Sequence, residues 1–138
     1  MLTEAAGVPV GLAVDGANRN DFKMARAAIA SIPVERPDPA AEGAQGLCLD
    51  KGFDFPEVYE LLAEFGFTAH VRSRGEEAHA PRRKARAKAR RWVVERTHSW
   101  MNRFRGILIR WNKKAANDIA MLHFALAIIA YRASGLFG

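Results

Sequence analysis

Apolar positions change rhythm as the chain proceeds. VPVGLAV (Val8–Val14) is a short β-branched run that stops at the turn formers DGANRND and predicts a strand. FKMARAAIASI (22–32) repeats with a helical period, and Asp21 stands where a helix cap belongs. Residues 33–46 carry three prolines and two glycines and predict a loop. LCLD (Leu47–Asp50) reads as a very short strand with an acid at its C-terminal end, and KGFD as a turn. PEVYELLAEFG then reads as a helix opened by Pro56 and ended by Gly66. FTAHVRS (Phe67–Ser73) alternates as a strand does. Strand, helix, strand, helix, strand is the order of an α/β layer with parallel strands.

Past Arg74 the pattern is different. RGEEAHAP is a polar loop, and a long helix is expected from about Ala85 to Arg105. RWNKKAAND breaks it, and the apolar run Ile119–Arg132 closes the chain as a buried helix, with His123 packed in the core. That run is shorter than the ~20 residues needed to span a bilayer. On a helical wheel Val93, Val94, Thr97, Trp100, Met101, Phe104 and Leu108 form one apolar stripe facing the core. Glu95 falls opposite, beside Arg91, His98, Ser99 and Asn102.

With 138 residues, 49% of them apolar, the chain suits one folded domain. Its formal net charge of +6 divides unevenly. Residues 1–69 hold five Lys/Arg against eleven Asp/Glu, a net of −6, and residues 70–138 hold sixteen against four, a net of +12. A basic half of that size marks an anionic partner, nucleic acid first and an acidic membrane surface second. Cys48 is alone, so no intramolecular disulfide forms, which fits a reducing cytoplasm. The N-terminus has no basic-then-apolar secretory signal.

The charge is densest at Arg82–Arg91, seven basic residues in ten. Such a run repels itself along a helix, and a phosphate backbone would relieve the repulsion with a steep salt dependence. A solvated face is the alternative. Trp92, off the apolar stripe, is placed to stack on a displaced base, whereas Trp100 belongs to the core.

Two carboxylates invite chemistry. Asp50 ends a strand, where ligands of open α/β sheets bind, although spacing alone favours a turn aspartate bonding the KGF backbone. Glu95 faces outward, either as a metal ligand beside a polyanion or as a surface partner of Arg91 at i−4, worth roughly 0.3–0.5 kcal/mol. His70, His79 and His123 lack metal-ligand spacing, and no Ser-His-Asp set, phosphate-cradling loop or zinc pattern is present.

Four stretches, GLAVDGANRND, LCLDKGFD, FTAHVRSRGEE and ARRWVVERTHSWMNRFRGILIRWNKKAANDIAMLHFALA, together resemble the C-terminal two-thirds of bacterial insertion-sequence transposases of the DDE class. The resemblance runs over nearly the whole chain in the family's order, and WVVERTHSW and LDKGFD are its most specific segments. It implies a ribonuclease-H-like core occupying residues 1–138 as one partial domain, with a strand/helix half (1–74) and a basic helical half (75–138). It further implies metal-dependent phosphodiester cleavage and strand transfer. Asp50 matches the second catalytic aspartate and Glu95 the final glutamate, both holding divalent cations, with Mg²⁺ suited to hard oxygen ligands. Lys88, Arg90, Arg91, Trp92, Arg96, His98, Asn102 and Arg103 would contact double-stranded DNA, that is, transposon ends and target. The implied setting is the bacterial cytoplasm at the nucleoid, in a homodimeric complex without membrane contact.

Two departures qualify the resemblance. The family's first aspartate lies on a strand upstream of Met1; Glu4 falls in the turn between the next two strands and does not replace it. A related pattern places tyrosine, arginine and lysine where this chain has Lys88, Arg91 and Asn102, so the arginine alone matches. The absent strand is central in such a sheet, so its neighbours should lack partners and the chain should be catalytically incomplete. An upstream-frame product carrying that aspartate would complete it. The alternative function is a non-catalytic DNA-binding remnant.

Overall fold

The computed structural model describes residues 1–16, 18–71 and 91–136, without the side chains of Arg91 and Trp92. The expected polar loop after Arg74, most of the arginine-rich run with Lys88 and Arg90, and the start of the expected long helix lie outside the described residues.

The chain opens with an antiparallel hairpin, β1 (Leu2–Thr3) and β2 (Pro9–Gly11). Glu4 organises its turn: Oε1 accepts from the backbone N–H groups of Ala6 at 2.8 Å and Val8 at 3.0 Å. The acid therefore sits in the turn, where the sequence placed it. The expected strand through Val14 stops early because the Leu12 N–H donates to Ser31 Oγ at 2.8 Å instead of to a strand neighbour. A 3₁₀ turn, Asp21–Met24, leads into α1 (Ala25–Ala30). Asp21 is thus the first residue of that turn rather than a cap, and Asn20 precedes it without a side-chain cap bond.

Residues 33–46 are more ordered than a loop. Asp38 caps α2 (Pro39–Glu42), accepting from the Ala40 N–H at 2.9 Å. Arg36 pins the segment, with its guanidinium 3.6 Å from the Phe67 ring centre and hydrogen bonds to Phe65 O (2.7 Å) and Gln45 Oε1 (3.1 Å). β3 (Gln45–Leu49) and β4 (Phe67–Val71) run parallel, Leu47 opposite Ala69 and Leu49 opposite Val71. Parallel neighbours need a crossover, here a 3₁₀ turn (Lys51–Phe53) and α3 (Pro56–Glu64). Pro56 starts α3, and Gly66 follows it at φ +68°, where a Cβ would lie 2.4 Å from Pro39 Cγ.

Alternation sends Leu47, Leu49, Phe67 and Ala69 to one face of the pair, against the buried Ile29, Val58 and Leu62. Leu2, Phe22, Ile32, Phe53 and Phe65 extend this core. The opposite face, with Cys48, Thr68 and His70, is exposed, unlike the usual parallel sheet covered on both sides. The expected single α/β layer is not formed, because β1–β2 and β3–β4 are separate two-stranded sheets. Among the described residues no strand lies between them, so β1 and β3 each present an unpaired edge.

Among the described residues, α4 (Arg91–Met101), α5 (Arg105–Leu108) and α6 (Ala115–Ala133) follow. The long helix expected to reach Arg105 ends at Met101, next to Asn102, a weak helix former. Leu108 consequently leaves the predicted stripe and is 54% exposed, and Val94 is also exposed. Val93 and Thr97 on α4 are buried, as are Ala125, Leu126 and Ile129 on α6. α4 packs against β1 and α6, and α6 reaches β2.

α6 is not the buried helix its apolarity predicts. The hairpin, α4 and α5 cover its inner side, leaving Met121, Phe124, Tyr131 and His123 exposed. His123 is therefore not a core residue. No described helix is long and apolar enough to cross a membrane.

Candidate catalytic carboxylates and nucleic-acid interface

Asp50 follows β3 directly and caps the 3₁₀ turn, its Oδ1 accepting from the Lys51 N–H at 2.8 Å. The Phe53 N–H donates to the Asp50 carbonyl at 2.9 Å, so the KGF turn folds back on the aspartate. The strand end and the cap together hold an exposed carboxylate at the sheet's C-terminal edge. Both sequence readings of Asp50, turn former and ligand at a strand end, are compatible with this geometry.

Glu95 sits on α4, whose orientation is set from its other side. Thr97 is fully buried, and its Oγ1 donates to the carbonyls of Gly7 and Val93. Gly7 accepts this close docking at φ +90°, where a Cβ would lie 3.1 Å from Val93 O and 3.2 Å from Arg96 Cδ. With Thr97 locked to the hairpin turn, the opposite face points outward. Glu95, His98, Ser99 and Asn102 line an open cleft there together with Val94. No described side chain hydrogen-bonds or ion-pairs with Glu95.

The remaining predicted contacts divide. Arg96 donates from Nη1 to Ala6 O at 3.2 Å and lies 5.9 Å from the Trp100 ring centre, so it helps tie α4 to the hairpin. Trp100 itself is half-buried. Arg103 is exposed in the turn after α4. Arg91 belongs to α4 by its backbone, as does Trp92, while Lys88 and Arg90 lie outside the described residues.

The cleft beside Glu95 is not lined by Asp50. Asp50 and Glu95 offer the hard oxygen donors that Mg²⁺ takes. Among the described residues, however, no three Asp, Glu, His or Cys side chains converge on one cation site. The donor chemistry of each acid fits such an ion. Sequence reasoning did not anticipate the Thr97–Gly7 lock or the outward projection of Trp111, 79% exposed. The cations flanking Trp111 in RWNKK were the available signal for the latter.

The family described as Transposase DDE domain matches residues 47–132. The chain belongs to that family. The match takes in both Asp50 and Glu95, and the mixed helices and strands agree with an α/β class for the transposase domain. A Burkholderia cepacia protein named as transposase for insertion sequence element IS402 is 29% identical over 133 residues, covering 95% of this chain and 61% of that protein. The chain thus spans about three-fifths of the length of this relative, and its kinship is with transposases of bacterial insertion sequences. No solved structure matches it.

Proposed function

We propose that this chain is part of a ribonuclease-H-like transposase catalytic domain that cleaves phosphodiesters and transfers DNA strands, and that Asp50 and Glu95 are its metal-binding carboxylates. The observation that carries the reading is the family match across both acids, joined to their presentation on exposed surfaces of fixed elements. In this reading Asp50 and Glu95 would hold Mg²⁺ with an aspartate from an upstream segment. The ion's chemistry is activation of the attacking oxygen and stabilisation of the leaving one. The capped turn restrains Asp50, the Thr97 lock restrains Glu95, and His98, Asn102 and Arg103 face the DNA beside it.

The separation of the sheets supports a place for that upstream segment. An extended strand inserted between β1 and β3 would satisfy both open edges and bring its carboxylate beside the end of β3. The whole protein would act on transposon ends and target DNA, as a homodimer, in the bacterial cytoplasm.

The test supplies the upstream portion in trans and measures Mg²⁺-dependent strand cleavage of a transposon-end duplex. Asp50→Ala and Glu95→Gln should each lower the cleavage rate by more than about 100-fold, beyond the loss typical of a residue that merely supports a ligand. Full activity in Glu95→Gln would remove its assignment. A second reading, a non-catalytic DNA-binding remnant, draws on the lack of a converging three-ligand cluster among the described residues. It gains if complemented protein binds the duplex in a salt-dependent way and never cleaves it.

A further inference from the structure

Trp111 lies between α5 and α6 in a segment whose charge is one-sided. Residues 103–114 (RFRGILIRWNKK) hold five Lys/Arg and no Asp/Glu. Tryptophan is among the most buried residues on average, yet this indole is 79% exposed. Its neighbours are held in place around it. Asp118, on the first turn of α6, ion-pairs with Arg110 and accepts from Asn112 Nδ2 at 3.0 Å, while Arg110 Nε donates to Asn112 O at 3.3 Å. The residues on both sides of Trp111 are therefore tied to one carboxylate, and the indole projects from a fixed loop. Asp118 is thereby neutralised, whereas Lys113 and Lys114 have no ion pair among the described residues.

We infer that this loop is a single-strand DNA contact, in which Trp111 stacks on an unpaired base and Lys113 and Lys114 neutralise the flanking phosphates. The inference rests on the nucleic-acid reading above and adds a second surface, outside α4, with a distinct ligand state. An indole face gains little from a phosphate backbone or from bases already stacked in a duplex. It gains most from a base whose own face is open.

The experiment compares the full chain with Trp111→Ala and Trp111→Phe in binding labelled oligothymidine and a duplex of equal length, across a salt series. Trp111→Ala should weaken single-strand binding about 5- to 150-fold, with duplex binding changed less than about twofold and Trp111→Phe restoring most of the loss. Lys113→Ala should lower the salt slope by about one. Equal losses on both ligands, or none, would overturn the inference while leaving salt-dependent duplex binding, and hence the proposed function, standing. Absence of all oligonucleotide binding would sink both. Loss of self-association in Trp111→Ala with unchanged single-strand binding would make the loop a contact between copies of the chain, and the inference would fall.

Discussion

Leu62 and Phe124 are both large apolar residues on helices, yet Leu62 is 1% exposed and Phe124 64%. Leu62 on α3 lies under a parallel strand pair and beside α1, and the inward residues of β3 and β4 close around it. Phe124 sits on a more apolar helix with less to cover it, since α6 meets α4, α5 and a hairpin on its inner side. Charges divide the same way. In the acidic half Arg19 pairs with Asp15, Arg26 with Glu64, and Arg36 with backbone and Gln45. In the basic half, of Arg103, Arg105, Lys113 and Lys114 none has an ion pair among the described residues. Three of the five Lys/Arg in the acidic half are engaged by its own groups, whereas the basic half turns both apolar side chains and charge outward, as a surface built for partners would.

The comparison is broken most readily in the acidic half. Leu62→Ala should destabilise the chain by about 2–5 kcal/mol, the range for a large buried aliphatic truncated in a packed core, read as a lower urea midpoint. An effect below about 1 kcal/mol would mean that this core is no better packed than the outer face of α6. The next effect lies at the seam between the halves. Gly7→Ala must hold a left-handed backbone at about 1–2 kcal/mol while its Cβ crowds Val93 O and Arg96 Cδ. Thr97→Val leaves the Gly7 carbonyl without its buried donor, a loss of about 1–3 kcal/mol. Both should also loosen α4, visible as faster hydrogen exchange of its amides. Stability loss with α4 exchange unchanged would separate the hairpin turn from the presentation of Glu95.

Much of this was legible locally. Asp50 at a strand end needed the apolar LCL followed by a turn, and the structure adds the Lys51 N–H cap. Glu95 on the outer face of α4 followed from the period that buries Val93 and Thr97. Pro56 and Gly66 bracket α3 because one tolerates a missing donor and the other a positive φ. What could not be read depends on distant cover. Whether β1 and β3 share a sheet turns on a strand between them, and whether Phe124 and His123 are buried turns on what lies over α6. Periodicity reports that a face is apolar and is silent on its neighbour. Asp38 was a different miss: D-P-A-A carries a helix cap, but three nearby prolines read as loop.

Smaller effects sharpen the contrast. Phe124→Ala should stay within about 0.5 kcal/mol of the parent in urea unfolding, as for a surface side chain. A larger loss would place a cover over α6 in solution. A smaller effect still is expected at Glu64→Gln, which removes one partner of the exposed Arg26 pair joining α1 and α3 at 2.6 and 2.7 Å. The Arg26 guanidinium holds the Glu64 carboxyl below its ordinary 4.5. The folded chain thus takes up this proton less readily than the unfolded one, and stability from the pair is complete above the ordinary value and disappears as pH falls through the lowered one. Melting temperatures of parent and Glu64→Gln should therefore differ slightly at neutral pH and converge in acid, provided salt is low enough to leave an exposed pair unscreened. A gap that persists through that acid range would assign the loss to the packing of the side chain, and the acidic half's internal use of its charges would then rest on the Arg19–Asp15 pair and on Arg36 with its stacked Phe67.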